Sequence, residues 1–497
     1  MQPQDPRLLL AILAPLLGAG LVMANGKRPN VRETCSFLAA ATLFIITASM
    51  IPDVLGKKTV HFTLFQLFAG AGELKSLSIS LRADALSMVF AVSASFLWVL
   101  TVFYSAGYMR GLEEHAQTRF NTCFALALFG AMGCAFSDNL LTLYLFYEIV
   151  SVCTYPLVAH HQDDESYEGG RKYLTYLTAT AKGLVLPAMV LIYVLTGTLD
   201  FATNVNTGIF PADANRWVVT ALYACCILGF AKNGVMPFHN WLPSAMVAPT
   251  PVSALLHAVA VVKVGVFSTV RVMLYVFGTR LMADFNLGLP TAYFVSITIL
   301  VGSIVALSKD NLKARLAYST VSQLSYIILG VALLTPAGIE GGLIHIANHA
   351  FSKITLFFCA GAIYVATHKK NISEMNGLGR AMPITFGAFA LASLSMIGAP
   401  PVAGFVTKWY LLNGAWDAGS VGIIVILLAS TLLNAAYFAP VVYQGFFGKP
   451  SEADLKHQYR EAHPALVVPL AVTAVISVLI GLYPNFFMRF VQQLFSA

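Results

Sequence analysis

Nine ionisable side chains lie inside apolar runs of the sequence: Glu148, Lys182, Lys232, His257, Lys263, His345, His349, Lys353 and Lys408. A lysine at the centre of a bilayer costs about 2.5–3.5 kcal/mol on insertion scales. Groups kept there are paired, hydrated or used, and the chemistry open to them is an ion or proton path. Each taken singly also fits a plainer role, as a lysine snorkelling to the surface or a polar residue packing helices together. His345, His349 and Lys353 are spaced i, i+4, i+8, along one helix face. Neutral imidazole both donates and accepts, so a hydrated row of this kind can pass protons. Haem ligation by His345 or His349 is the competing chemistry; it needs a histidine at matching depth on another helix, and His257 alone offers itself.

The stretch GFAKNGVMPFHNWLP, Gly229 to Pro243, places Lys232 after an apolar run, with Pro237 interrupting the helix and His239 just past the break. Bringing a lysine's proton affinity from its ordinary value to neutrality takes roughly 4–5 kcal/mol, at about 1.36 kcal/mol per pH unit. Burial and the distance to one carboxylate supply terms of that size. Glu148, the one carboxylate inside an apolar run of this half of the chain, is the natural switch partner, making Lys232 a proton-loading site.

These residues need elements to hold them at depth. The chain has 497 residues, 58% hydrophobic and 11% charged, with a mean hydropathy of +0.74. That composition predicts an all-α polytopic membrane protein forming a single membrane domain over 1–497. About fourteen spans can be marked, near 7–24, 35–52, 83–106, 120–136, 138–159, 171–196, 217–235, 250–278, 291–307, 316–335, 340–366, 381–398, 420–446 and 464–485. Two shorter stretches, 236–248 and 402–416, read as second halves of broken helices 7 and 12. LKSLSISLR, Leu74 to Arg82, alternates as a strand of a small β-hairpin between spans 2 and 3. The first span, with Arg7 ahead of it, also has the outline of a secretory leader, but the orientation of the chain uses it as a span.

The net charge of +7 comes from scattered loop residues that form no stripe, which excludes nucleic acid as the partner. Loops after odd-numbered spans hold most of the basic residues, among them Lys27, Arg110, Arg171, Lys309, Lys313 and Lys370. The positive-inside rule then puts both termini outside the cytoplasm. Seven cysteines without a CxxC pair support neither a zinc site nor a disulfide framework.

FGAMGCAFSDNLLTLYLFYE, from Phe129, aligns with VGSIVALSKDNLKARLAYST, from Val301, superimposing Asp138-Asn139-Leu140 on Asp310-Asn311-Leu312. Further on Lys182 falls opposite Lys353, and Gly229-Phe230-Ala231-Lys232 echoes Gly404-Phe405-Val406-Thr407-Lys408. Each copy holds five spans, 120–280 (spans 4–8) and 291–446 (spans 9–13). An odd number forces opposite orientations, giving two inverted five-helix repeats.

GFAKNGVMPFHNWLPSAMVAPTPVSALLHAVAVVKVGVF (from Gly229), DNLKARLAYSTVSQLSYIILG (from Asp310), HIANHAFSKITLFFCAGAI (from His345) and GAPPVAGFVTKWYLL (from Gly398) resemble a known family. It is that of the antiporter-like subunits shared by respiratory complex I, energy-converting hydrogenases and Mrp-type multisubunit cation/proton antiporters. Length and span plan look most like the D-type subunit of the Mrp antiporters. The resemblance implies that Glu148 pairs with Lys232 of broken helix 7. It makes Lys263 the central relay, His257 a polar site on the same helix, His345 and His349 the helix 11 histidines, and Lys408 the terminal residue of the path. Lys182, His239 and Lys353 are auxiliary. WLPSAM stands where many relatives carry WLPDAH, so Met246 has no proton role. The chain ends soon after span 14, without the long lateral helix of one subunit type.

The reading is a proton-translocating subunit of a multisubunit complex in the cell's inner (plasma) membrane, an Mrp-type antiporter or a redox-driven complex (hydrogenase, formate-linked or quinone-linked). It works beside other membrane subunits, without cofactor, resident metal or covalent chemistry of its own, whether or not its complex is an oxidoreductase. Any Na+ exchanged would bind elsewhere in the complex. An autonomous sodium antiporter needs several oxygen ligands, and Glu148 is a lone carboxylate among lysines. A quinone- or haem-binding anchor finds little in the chain.

Overall fold

A computed structural model describes residues 4–70, 75–450 and 459–495, apart from the side chains of Leu256 and His257. Helices dominate. In chain order they are α1 (Pro6–Ala24), α2 (Pro29–Ser49), α3 (Ala85–Gly111), α4 (Gln117–Ala135), α5 (Leu140–Val158), α6 (Asp164–Thr196) and α7 (Arg216–Gly229). Next come α8 (Thr250–Ala258), α9 (Val261–Val272), α10 (Gly288–Ser308), α11 (Leu312–Ala332) and α12 (Pro336–Thr367). The last are α13 (Pro383–Ile397), α14 (Ala403–Asp417), α15 (Val421–Phe447), α16 (Pro464–Leu482) and α17 (Asn485–Gln493). Among the described residues nine helical stretches are long and apolar enough to cross a membrane, and α7 and α13 are shorter apolar helices. The expected hairpin is present as antiparallel β1 (Val60–Phe68) and β2 (Leu77–Ala83), running from Val60 opposite Ala83 to Phe68 opposite Leu77. Leu74, placed in that strand by its alternation, lies outside the described residues.

The connections sort onto two faces. On one, the hairpin meets the turn after α4, where Leu81 bridges Ser137 and Arg82 pairs with Asp138 at 3.1 Å; Asn139 bridges Asp200 after α6, and Ala202 N–H donates to the Tyr275 carbonyl after α9. Both ends of the described chain reach this face, where Asp5 N–H donates to the His61 carbonyl and Gln493 Nε2 to those of Val54 and Leu55. On the other face, loops after α3, α5, α10 and α12 surround a cavity of about 710 Å³. The core between the faces is built on α12, whose residues from Gly341 to Ile363 are buried without exception.

The aligned segments share local structure. Asn139 and Asn311 are both N-caps, accepting from Thr142 N–H (2.7 Å) and Ala314 N–H (3.0 Å). Leu140 N–H donates to the Leu199 carbonyl as Leu312 N–H does to that of Lys370. Phe201 N–H donates to Asp138 as Ile372 N–H does to Asp310. The same Asp-Asn-Leu triplet thus starts a helix and pins an incoming loop twice.

Two sequence expectations change. The span at 217–235 stops at Gly229, eight residues before Pro237, so Lys232 sits within the break, on a 3-10 turn (Ala231–Asn233), rather than on the helix. The span at 250–278 is itself interrupted, with α8 ending at Ala258 and α9 starting at Val261. The chain after span 14 folds into α17, whose Phe487, Met488, Phe490 and Val491 are buried.

That second span also carries an ionisable residue that its apolar run conceals. Arg271, fully buried in α9, forms a two-nitrogen pair with Asp84, the N-cap of α3, and donates to Ser87 Oγ at 2.9 Å. Its guanidinium lies 4.7 Å from the centroid of the Tyr275 ring. Removing one partner of a buried pair strands the other charge. Asp84→Ala is expected to destabilise the chain by about 3 kcal/mol, and the double change Asp84→Leu/Arg271→Met to recover most of it, both read as thermal unfolding of the detergent-solubilised complex.

Candidate functional site

Lys232 is fully buried, and the break that exposes its backbone is held by side chains. Asn233 Nδ2 takes the Ile227 carbonyl at 2.9 Å, which α7 leaves free at its end, and Trp241 Nε1 takes that of Ala231 at 2.9 Å. The neighbouring α9 presses Gly265 onto the break; a Cβ there would run into the Lys232 carbonyl carbon and the Asn233 nitrogen. Lys232 Nζ donates to the Tyr147 carbonyl and to Ser151 Oγ, each at 2.7 Å, and stands 3.2 Å from the Tyr147 ring centroid. All three contacts come from α5, the helix of Glu148.

Glu148 is half-buried, its Oε1 has no hydrogen-bond partner, and no ion pair joins it to Lys232 among the described residues. The fields of Lys232 and Lys182 both reach it. The expected partners are therefore adjacent but unpaired in this conformation. Lys182 is exposed, on a π-turn (Ala181–Val185) of α6, whereas its repeat counterpart Lys353 is fully buried and donates to Ser319 Oγ. His239 is half-buried in the broken segment, with Nδ1 unpartnered. His257 belongs to α8, and its side chain lies outside those described.

A second group surrounds α12. His345 Nδ1 is 3.2 Å from Thr407 Oγ1 and its Nε2 3.1 Å from Gln323 Oε1. His349, one turn on, has its ring centroid 5.7 Å from that of His345 and no hydrogen bond at either nitrogen. Lys263 Nζ, from α9, is buried without a hydrogen-bond partner. Lys263, Lys353 and Lys408 all act electrostatically on His345. The structure thus assembles Lys263, His345, His349, Lys353 and Lys408 as one cluster, and Gly265 packs the helix of Lys263 against Lys232.

Lys408 shows how sequence builds such a position. Pro400 and Pro401 have no N–H, so the carbonyls four residues earlier, Met396 and Ile397, lose their helical donors. Lys408 Nζ takes the Ile397 carbonyl at 2.7 Å, together with Thr431 Oγ1 at 2.8 Å. Asn434 Nδ2 takes that of Met396 at 3.2 Å. Gly398, with φ +89°, turns the chain where a Cβ would collide with the Lys408 stem. The ammonium sits at the negative end of α13.

Uncharged residues missed in the sequence complete the site: Gln323, Thr407, Asn348, Tyr326 and Ser430. Asn348 Nδ2 donates to Thr407 Oγ1 at 2.9 Å, and Tyr326 donates to Ser430 at 2.7 Å. A signal for them existed. Polar residues cluster in STVSQLSY, Ser319 to Tyr326, every one of which is buried.

The cavity on the far face is lined by Glu114, Glu165, Lys172, Lys313 and Lys370, among others. Lys313 Nζ donates to the Ala248 carbonyl at 2.6 Å, at the far end of the broken segment. Hydrogen bonds from Ser166 hold the Asp163 carboxyl at its rim below the usual carboxylate range.

Residues 137–434 match the family described as NADH:quinone oxidoreductase/Mrp antiporter, TM, and residues 70–121 that described as the NADH-ubiquinone oxidoreductase (complex I), chain 5 N-terminus. The chain is 33% identical over 490 residues to NADH-quinone oxidoreductase subunit L of Mycobacterium tuberculosis, covering 95% of this chain and 74% of that protein. It is 31% identical over 491 residues to NADH-quinone oxidoreductase subunit N of Desulforudis audaxviator, covering 96% and 95%. A chain of the Mrp complex from Dietzia sp. superposes with a TM-score of 0.86 at 22% identity, over 98% of this chain and 96% of that one.

The seat of α9 on the broken segment gives a sharp test of the packing. Gly265→Ala is expected to lower stability by about 1–3 kcal/mol, measured by thermal unfolding of the solubilised complex. Gly387→Ala, in α13 with open space around its Cβ, is expected to leave stability unchanged or slightly raised.

Proposed function

Because the chain belongs to the NADH:quinone oxidoreductase/Mrp antiporter family, we propose that its buried lysines and histidines carry protons between the two faces. It is a proton- or cation-translocating subunit of an Mrp- or complex-I-like multisubunit membrane complex. Lys232 is the loading site and Glu148 its switch partner; Lys263, His345 and His349 are the relay, and Lys408 the terminal site. His257, Lys182, His239 and Lys353 are auxiliary. The observation that carries this assignment is the state of Lys232, bonded to Tyr147 and Ser151 while the Glu148 carboxylate nearby stands free.

The energies fit a switch. A Lys–Glu contact at 4 Å is worth about 4 kcal/mol at an effective dielectric of 20. One elementary charge crossing 100 mV is worth about 2.3 kcal/mol. Making or breaking the pair can therefore decide whether Lys232 keeps its proton against the field.

The two copies, 120–280 and 291–446, are read as inverted five-helix repeats of a fourteen-span plan, each supplying one half-channel. The cavity lined by Glu114 and Lys313 is the cytoplasmic entrance, with both termini outside, in the inner (plasma) membrane. The complex is an Mrp-type monovalent cation/proton antiporter, with this chain in the place of its D-type member, as length and motifs suggest. A redox-driven complex is the second reading, favoured by the identity to two NADH-quinone oxidoreductase subunits over nearly the whole chain.

Proton uptake by vesicles holding the intact complex separates these readings. Wild type is expected to take up protons under a sodium gradient; uptake driven only by a redox substrate would establish the second reading. Lys232→Ala is expected to reduce uptake to the background of empty vesicles with the complex still assembled, and unchanged uptake would remove Lys232 from the path.

A further inference from the structure

A cluster apart from the lysine row forms where the loop after α3 meets the turn after α5. Glu114, His115 and His160 bring one ligand atom each to within 4.8 Å of one another. His161 Nδ1 lies 3.6 Å, and His160 Nε2 3.8 Å, from Glu114 Oε2. The His115 and His160 ring centroids are 4.9 Å apart. His160 is completely buried, yet neither of its ring nitrogens has a hydrogen-bond partner; the His115 backbone is near but outside bonding geometry. Buried polar atoms are normally satisfied, and an orphaned ring aimed into a cluster of donors calls for an explanation.

We propose that Glu114, His115 and His160 bind a divalent transition-metal ion of the zinc class, with His161 or water as the fourth ligand. Two imidazoles and a carboxylate form the nitrogen–oxygen set that Zn2+ takes in tetrahedral sites. With metal–donor bonds of about 2.0–2.2 Å, the donors stand roughly 3.4 Å apart. The ligand atoms already lie within 4.8 Å of one another, and the exposed His115 ring and the half-buried Glu114 side chain are the groups that would close the difference. His160 is already fixed, since Arg119 donates to its carbonyl at 2.7 Å and Phe120 packs edge-on at 5.8 Å between centroids. Arg119 acts electrostatically on His160, and Lys313 on Glu114 from the cavity side, so the Glu114 charge is needed to hold a dication there.

Glu114 and His161 also line the cavity beneath the loops. A metal bound between them puts positive charge at its rim and opposes proton entry, a consequence that rests on the cavity being the entrance. The binding itself does not depend on that reading.

The test uses the purified complex, stripped with chelator and titrated with Zn2+ alone by calorimetry. Co2+ then serves as an optical probe of four-coordinate nitrogen–oxygen ligation. Wild type is expected to hold one such ion per copy of this chain. His160→Ala and the exposed-site change His115→Ala are each expected to weaken it more than about tenfold. If His160→Ala fails to assemble, His115→Ala decides. Equal affinity in wild type and His115→Ala, or no binding below about 1 mM, overturns the site. Zn2+ inhibition of uptake that disappears in His115→Ala ties the site to the entrance; tight binding without inhibition overturns that consequence and leaves the metal site in place.

Discussion

An ammonium in a low-dielectric interior needs oxygen atoms, and an intact helix has few to give, because each of its carbonyls is already bonded once within it. The arrangement of this protein follows from that conflict. Where Lys408 must be held, two prolines remove the donors from Met396 and Ile397, and the freed carbonyls serve Lys408 and Asn434. Where Lys232 must be held, α7 ends early and Asn233 and Trp241 satisfy the exposed backbone. Ser151 and the Tyr147 carbonyl then take the ammonium from the neighbouring helix. Broken helices are thus one means by which charge is kept at depth, beside the hydroxyls and the shared carbonyl of unbroken neighbours.

The two lysines differ in a way that bears on their roles. Lys408 closes a helix C-terminus, where the dipole and Thr431 hold it. Lys232 shares a carbonyl already used inside α5, with a carboxylate one residue along that helix left over. Between them, His349 and Lys263 have no hydrogen bonds from the protein. Buried polar groups that the protein leaves unpartnered are ordinarily satisfied by ordered water, and a relay of the proposed kind needs such water.

Much of this was legible in the sequence, and the reason is cost. A lysine or histidine in an apolar run stands out because the bilayer penalises it, and Lys232, Lys263, His345, His349 and Lys353 are all buried. The repeat was legible because Asp-Asn-Leu performs the same capping job twice. Break positions were less so: proline marks where a donor is missing, but where the helix actually ends depends on which side chains arrive to satisfy it, and Asn233 and Gly265 act through tertiary contact. Arg271 went unnoticed inside a long run because its partner, Asp84, lies 187 residues away. Gln323, Thr407 and Asn348 carry no charge and draw attention only once a histidine is found bonded to them.

The unpaired Glu148 bears on how drive reaches the row. With Lys182 exposed on the outer surface of α6, Glu148 feels a cation from each side, one internal and one facing outward. Lys182 does not move without its helix, but its field depends on what lies against that surface. A neighbouring subunit bringing a carboxylate to Lys182 would release Glu148 toward Lys232, and one bringing a cation would hold Glu148 outward. On the proposed reading, the helix carrying Glu148 is where a change outside this chain is converted into the proton affinity of Lys232.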